Sequence, residues 1–229
     1  MDPLLTAEEL EILRGVTTPT IANAIERFHL RGPAEGATDG TIKCVFPGMR
    51  PVIGYAVTLA IRSAQPNPQP QFTSRQPYWE HILKYPAPRL VVAQDLDQPP
   101  AGAYWGEVNS SIHWRLGCAG VITDGTVRDL DEVRMLGFPF LAAGISVTHA
   151  HCHLEAFDLP VTVGGMRVNP GDLVHADQHG AVVIPREVAH KLLAAVRAVE
   201  LYERPIIQLC KSPDFSLPRL ADLLKNETI

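Results

Sequence analysis

No run of about 18 apolar residues occurs in this chain, so nothing in it reads as a membrane-spanning helix. The opening MDPLLTAEELEILRG is acidic and lacks both a basic leading segment and an apolar h-region, which excludes a signal-peptide reading. An excess of positive charge is also missing. The formal net charge is −5, which weighs against nucleic acid or an anionic membrane as the main partner, because both are bound through basic patches. Cysteine is sparse. Cys44, Cys118, Cys152 and Cys210 are scattered and form no C-x-x-C pair. They read as reduced, mostly buried thiols of a cytoplasmic protein, although four cysteines could make two disulfides. The motifs G-x-S-x-G, G-x-x-x-x-G-K-[ST] and G-x-G-x-x-G are all absent, which removes the local signatures of α/β-hydrolases, P-loop proteins and dinucleotide-binding folds. No internal repeat and no clean linker appear. Residues 1–229 therefore read as one domain, long enough for a substantial apolar core.

What is present alternates between two periodicities. Thr6 to Leu13 reads as a short helix, with Thr6 as cap and Glu9 three residues on. Thr20 to His29 has helical spacing through Ile21, Ala24, Ile25 and Phe28. Val52 to Ile61 and Arg89 to Gln94 read as buried strands. The intervening Gln65 to Pro77 holds four prolines and reads as a long loop, with Tyr78 to Tyr85 a short helix after it. Helices from Glu107 to Leu116 and Leu130 to Leu136 alternate with strands from Ala119 to Thr123 and Phe140 to Ala142, the pattern of a layered α/β arrangement. Strands are then expected at Val147–Asp158, Pro160–Val163, Asp172–Ala176 and Ala181–Ile184, joined by glycine-rich turns as an antiparallel portion. Glu187 to Tyr202 reads as a long amphipathic helix, followed by a polar tail.

Three clusters could carry chemistry. Arg128 and Asp129 fall where a strand turns into a helix, a place where two neighbours can share one pocket. Arginine offers a planar fork for a carboxylate, and aspartate offers hard oxygen for Mg²⁺ or Mn²⁺. The plainer alternative is a helix cap, because Glu132 follows Asp129 at capping-box spacing and Arg128 could pair with Glu132 or Asp124. Gly106 and Glu107 open a helix, whose free N–H groups suit an oxyanion; the alternative is simple helix-dipole placement. His149, His151 and His153 alternate, as do His175, Asp177 and His179. Either set could face a zinc ion, a histidine-rich strand could pack at an interface, and His153 or His175 could line a pocket, although the DQHG turn would break the face at His179.

WGE at 105–107 and GCAGVITDGTVRD at 117–129 resemble the RraA-like family, which includes 4-hydroxy-4-methyl-2-oxoglutarate aldolases of the class II pyruvate type. A second stretch agrees: PVTVGGMRVNPGDLVHADQHGAVVIP, at 160–185, follows the family pattern. The resemblance implies an α/β sandwich of the swivelling β/β/α type, assembled as a homotrimer or homohexamer with active sites between subunits. It implies Asp129 as the direct protein ligand of Mg²⁺ or Mn²⁺, Arg128 on the pyruvyl carboxylate, and Glu107 holding water at the metal. Backbone N–H groups of Gly106, Glu107, Val108 and Asn109 would meet substrate oxygens, and Glu200 or Glu203 of a neighbouring subunit would complete the shell. The implied reaction is metal-dependent cleavage of a 4-hydroxy-2-oxo acid to pyruvate, with oxaloacetate decarboxylation through the same enolate. The alternative within the family is a non-catalytic regulator that masks a ribonuclease. The proline-rich loop and the histidine-rich segment depart from the commoner pattern.

Overall fold

The computed structural model describes residues 2–67 and 71–225. In chain order it forms α1 (Ala7–Leu13), α2 (Thr18–Glu26), β1 (Lys43–Cys44), β2 (Val52–Arg62), α3 (Gln71–Ile82), β3 (Arg89–Asp95), β4 (Ala103–Trp105) and α4 (Glu107–Arg115). It continues through β5 (Cys118–Val127), α5 (Leu130–Leu136), β6 (Phe140–Ile145), β7 (His153–Phe157), β8 (Val161–Val163), β9 (Met166–Val168), β10 (Leu173–Asp177) and β11 (Gly180–Ile184). A 3-10 turn at Arg186–Lys191 leads into α6 (Leu192–Lys211), and α7 (Leu217–Leu224) follows.

One mixed sheet organises the α/β fold, in the order β1-β6-β5-β3-β2-β10-β11. Strands β2, β3, β5 and β6 run parallel, as expected of strands joined through helices. The antiparallel pair β10–β11 joins the same sheet through β2 rather than standing apart. Two short strands extend the sheet past the parallel core. β4 pairs with Thr126 and Val127 beyond the point where β3 leaves β5, and β7 pairs with the last residues of β2. β2 is buried along nearly its whole length, which is why it reads as an unbroken apolar run. Helices α1, α2 and α6 cover the β10–β11 end, and the β8–β9 hairpin closes another face over Ile122, Leu141 and Val174.

Thr6 caps α1 in a full capping box with Glu9: its hydroxyl accepts from Glu9 N–H, and the Glu9 carboxylate accepts from Thr6 N–H at 2.8 Å. Thr6→Ala is expected to cost about 1 kcal/mol of stability, read as a lower denaturation midpoint at unchanged slope.

Several expectations need correction. The proline-rich loop is helical from Gln71, and Pro77 sits inside α3; positions 68–70 lie outside the described residues. Packing outweighs propensity here, because Tyr78 and Ile82 are fully buried and Tyr78 and His81 pack on Phe157. The strand expected from Val147 begins only at His153; the chain before it is irregular, with a turn at Ala150 and His151 and Ala150 at φ 44°. The long C-terminal helix begins only at Leu192 and runs on to Lys211, and the tail folds into α7.

His175 is a core residue. Its Nε2–H donates to Leu13 O at 3.1 Å, so Nδ1 accepts from the Thr18 hydroxyl at 2.9 Å. Asp177 accepts from Thr18 N–H at 2.8 Å and from His179 N–H at 2.8 Å. These side chains fasten α1 and α2 to β10, and they leave His149 and His151 exposed elsewhere. Among the described residues no three His, Cys, Asp or Glu side chains converge as metal ligands.

A candidate active site at the end of β5

β5 ends at Val127, and the next two residues are Arg128 and Asp129. Arg128 N–H donates to Trp105 O at 2.9 Å, which ties the turn to the end of β4. Asp129 then adopts left-handed φ 54°, ψ 51° and starts α5. That conformation costs a non-glycine residue about 1 kcal/mol and is concentrated at functional turns. The capping reading does not hold, because Asp129 makes no side-chain cap bond to α5. Its Oδ2 turns instead to α4 and accepts from Glu107 N–H at 3.0 Å, with Arg128 Nε 3.7 Å away. Arg128 pairs with neither Glu132 nor Asp124. The left-handed turn is what lets two adjacent side chains face one space.

That space is a cavity of about 180 Å³. Gly106, Val108, Asn109, Arg128 and Asp129 line it, as the sequence suggested. Gly106 is required by proximity: a Cβ there would lie 2.4 Å from Asp129 Oδ2 and 3.0 Å from Arg128 Cγ. The first intrahelical bond of α4 runs from Ser110 N to Gly106 O, so the N–H groups of Val108 and Asn109 have no partner within the helix. Glu107 contributes its N–H to Asp129, but its side chain is exposed and is not part of the cavity wall.

Arg75, His149 and Cys152 also line the cavity; the first two belong to the proline-rich and histidine-rich segments, and none of the three stood out in the sequence by itself. Arg75 donates to Asn109 Oδ1 at 3.3 Å, stacks its guanidinium 5.2 Å from the Tyr104 ring centre, and buries an Nε that finds no partner among the described residues. Among the described residues it pairs with no carboxylate. Its only sequence signal was its place in the atypical loop. Two guanidinium groups on one small cavity suit a substrate with two carboxylates.

α4 is held rigidly behind the site. His113 Nδ1–H donates to Asn109 O at 2.7 Å, and its Nε2 accepts from the Tyr78 hydroxyl at 3.1 Å. Burial lowers both His113 and His175 to about 4, from 6.5. The unfolded chain takes up these protons as pH falls below about 6.5, while the folded chain stays neutral until about 4. Stability contributed by the neutral imidazoles is therefore complete above that window and lost on descending through it. Asp124, which burial pushes up to about 6, acts in the opposite sense over part of the window. Asp95, which burial also raises, adds to that opposition, but the two histidines are shifted across the whole window, so the thermal midpoint should fall between pH 7 and pH 4.5. A level or rising midpoint would contradict neutral buried imidazoles.

Residues 18–183 match the family model described as RraA-like, Aldolase/RraA. The chain belongs to the RraA-like family. A protein of Methanocaldococcus jannaschii is 24% identical over 208 residues, 89% of each chain. The 4-hydroxy-4-methyl-2-oxoglutarate aldolase of Thermus thermophilus is 36% identical over 75 residues, 32% of this chain and 46% of that one. A crystal structure from Streptomyces coelicolor, an unusual member of the RNase ES inhibitor RraA family, is 26% identical with a TM-score of 0.68, covering 89% of this chain and 98% of that one. The RraA-like chain thus spans under half the length of that aldolase, and 21% of the Legionella pneumophila protein DlpA that it also matches.

The donor set fits a hard divalent ion. Only Oδ2 of Asp129 is engaged within the described residues, and the side chain is 36% exposed, so a carboxylate oxygen is open to the cavity side. One carboxylate with the remaining positions left to water and substrate is the usual arrangement for Mg²⁺. Glu200 and Glu203 stand apart from this cavity. Glu203 lies in a larger groove of about 820 Å³ between α2 and α6, where it accepts from Asn23 at 3.4 Å. Both spaces hold charged side chains, and what marks the smaller one is the left-handed Asp129 beside Arg128 at the start of α4.

Proposed function

We propose that this chain is a divalent-metal-dependent carbon–carbon lyase that cleaves a 4-hydroxy-2-oxo acid, such as 4-hydroxy-4-methyl-2-oxoglutarate, to pyruvate and also decarboxylates oxaloacetate. The observation that carries this reading is the turn at Arg128 and Asp129, where a strained aspartate aims its carboxylate away from its own helix and beside an arginine. When bound at Asp129, Mg²⁺ or Mn²⁺ supplies Lewis-acid stabilisation of the developing enolate charge. Arg128 holds the pyruvyl carboxylate with its planar fork and adds a preorganised positive charge. The N–H groups of Val108 and Asn109 meet substrate oxygens at the start of α4. Arg75 takes a distal carboxylate. Glu107, whose N–H donates to Asp129, would help to order water beside the ion.

Assembly as a homotrimer or homohexamer, with sites between subunits, is part of this reading. Val108, Ile145 and Val147 are 71%, 62% and 94% exposed on or near the site, and Leu201 and Leu217 are 75% and 73% exposed on α6 and α7. Such apolar surface suits contact with another copy, and a neighbour's Glu200 or Glu203 could then complete the shell. We place this single-domain subunit, residues 1–229, in the cytoplasm.

Gly106→Ala tests the geometry directly. Its methyl group displaces the Asp129 carboxylate, so pyruvate release should fall at least about tenfold, roughly 1.4 kcal/mol in the barrier, with a smaller change in thermal midpoint. Unchanged turnover in Gly106→Ala would show that the cavity is not the site of the reaction. A second reading draws on the Streptomyces relative: a regulator that masks a ribonuclease. Ribonuclease binding that survives loss of the Asp129 carboxylate, in a protein without turnover, would favour it.

A further inference from the structure

Retro-aldol cleavage also needs a base for the C4 hydroxyl, and we infer that His149 is that general base, which deepens the lyase reading and rests on it. His149 lines the cavity of about 180 Å³ together with Arg75, Arg128 and Asp129. The other titratable groups on its wall are poorly suited to accept a proton. Arg75 and Arg128 offer only donors, Asp129 would be occupied by the ion, and burial raises the Cys152 thiol to about 12 and also raises the Tyr104 phenol.

The segment that presents His149 is built for position. Ala103 N–H donates to Thr148 O at 2.9 Å, Ala150 N–H to the Thr148 hydroxyl at 2.7 Å, and Cys152 N–H to His149 O at 3.0 Å. His151 N–H donates to Ser63 O at 3.1 Å, anchoring the turn to the end of β2. Ala150 is held at φ 44°, a strained left-handed conformation for alanine. Gly102 permits the approach, since a Cβ there would lie 2.6 Å from the His149 carbonyl carbon. The ring is itself oriented: Nδ1 lies 2.7 Å from Ala150 O, and because a carbonyl can only accept, Nδ1 carries the proton. Nε2 of the neutral ring is therefore the basic nitrogen.

The step balances without an added reactant. Nε2 takes the C4 hydroxyl proton and the C4 carbonyl forms. The C3–C4 bond breaks and its electron pair becomes the enolate of pyruvate. The enolate then takes one proton at C3, and the imidazolium returns its proton to solvent. Oxaloacetate decarboxylation breaks a C–C bond by losing CO₂ and has no hydroxyl proton to remove. The two reactions therefore separate this role from general damage to the site.

The experiment measures both reactions with Mg²⁺ for the full-length wild type and His149→Ala, with and without added imidazole, and records the tautomer of His149 by ¹⁵N NMR in alkaline buffer without metal. The expected result is a fall of about a hundredfold in retro-aldol turnover. The ratio of retro-aldol to decarboxylation turnover should drop at least about tenfold, imidazole should restore part of it, and the NMR signal should show Nδ1 protonated. An unchanged ratio, a loss that imidazole leaves unrestored, or protonation at Nε2 instead would overturn the assignment. A wild type inactive on both substrates would overturn the lyase reading along with it.

Discussion

Asp129→Asn is expected to lower Mg²⁺-dependent pyruvate release about a thousandfold or more while leaving the fold intact. Asparagine keeps the shape of the side chain and tolerates the left-handed backbone that Asp129 occupies, so the turn into α5 should survive. It can also keep an oxygen toward Glu107 N–H, which now donates to Oδ2 at 3.0 Å. What it loses is the negative charge that holds a hard cation. Loss of the Lewis acid removes several kcal/mol of transition-state stabilisation, and about 4 kcal/mol corresponds to a thousandfold. The measurement pairs steady-state rates over a range of Mg²⁺ with thermal unfolding. Near-normal rates at saturating Mg²⁺ would remove Asp129 from the metal site. Asp129→Ala would add a backbone penalty to the lost ligand, which makes asparagine the cleaner substitution.

Arg128→Lys should cost well over tenfold in kcat/KM, roughly 1.4 kcal/mol or more. Lysine preserves the charge but replaces a planar fork with a point charge on a flexible stem. Arg128 is about one-third exposed and its backbone is pinned by the bond to Trp105, so its head group has room to meet a ligand while its base is fixed. If the fork both binds the carboxylate and stabilises enolate charge, kcat falls as well as affinity. A rise in KM alone would assign Arg128 to binding. Wild-type kinetics in Arg128→Lys would remove it from the site.

The most readable parts of the chain were those in which local chemistry and tertiary structure agree. The Thr6–Glu9 capping box is set by residues three apart, and the apolar run of β2 is buried almost throughout. The WGE and TVRD segments read as a helix start and a strand end, and the structure brings these ends together through Glu107 N–H and Asp129 Oδ2. Elements fixed by distant partners were less legible. α3 carries an internal proline and little helical patterning, and it is held by burial of Tyr78 and Ile82. β1 and β4 are two and three residues long, too short for any periodicity to register. The histidines show the same limit. Their alternation correctly puts His175 and Asp177 on one strand, but that strand packs against α1 and α2, while His149 belongs to a turn whose path depends on Gly102 and Ser63. Arg75 reaches the cavity only because α3 folds back over Tyr104.

Pyruvate release is the direct readout of the proposed metal-dependent pyruvate-enolate site at Asp129 and Arg128. Purified protein is assayed on oxaloacetate and on 4-hydroxy-4-methyl-2-oxoglutarate, with Mg²⁺ and with EDTA, subtracting the free-metal background on oxaloacetate. Mg²⁺-dependent release is expected on at least one substrate, abolished by EDTA and by Asp129→Asn. Release that persists undiminished in EDTA and in the variant, or no release above background on either substrate, would contradict it.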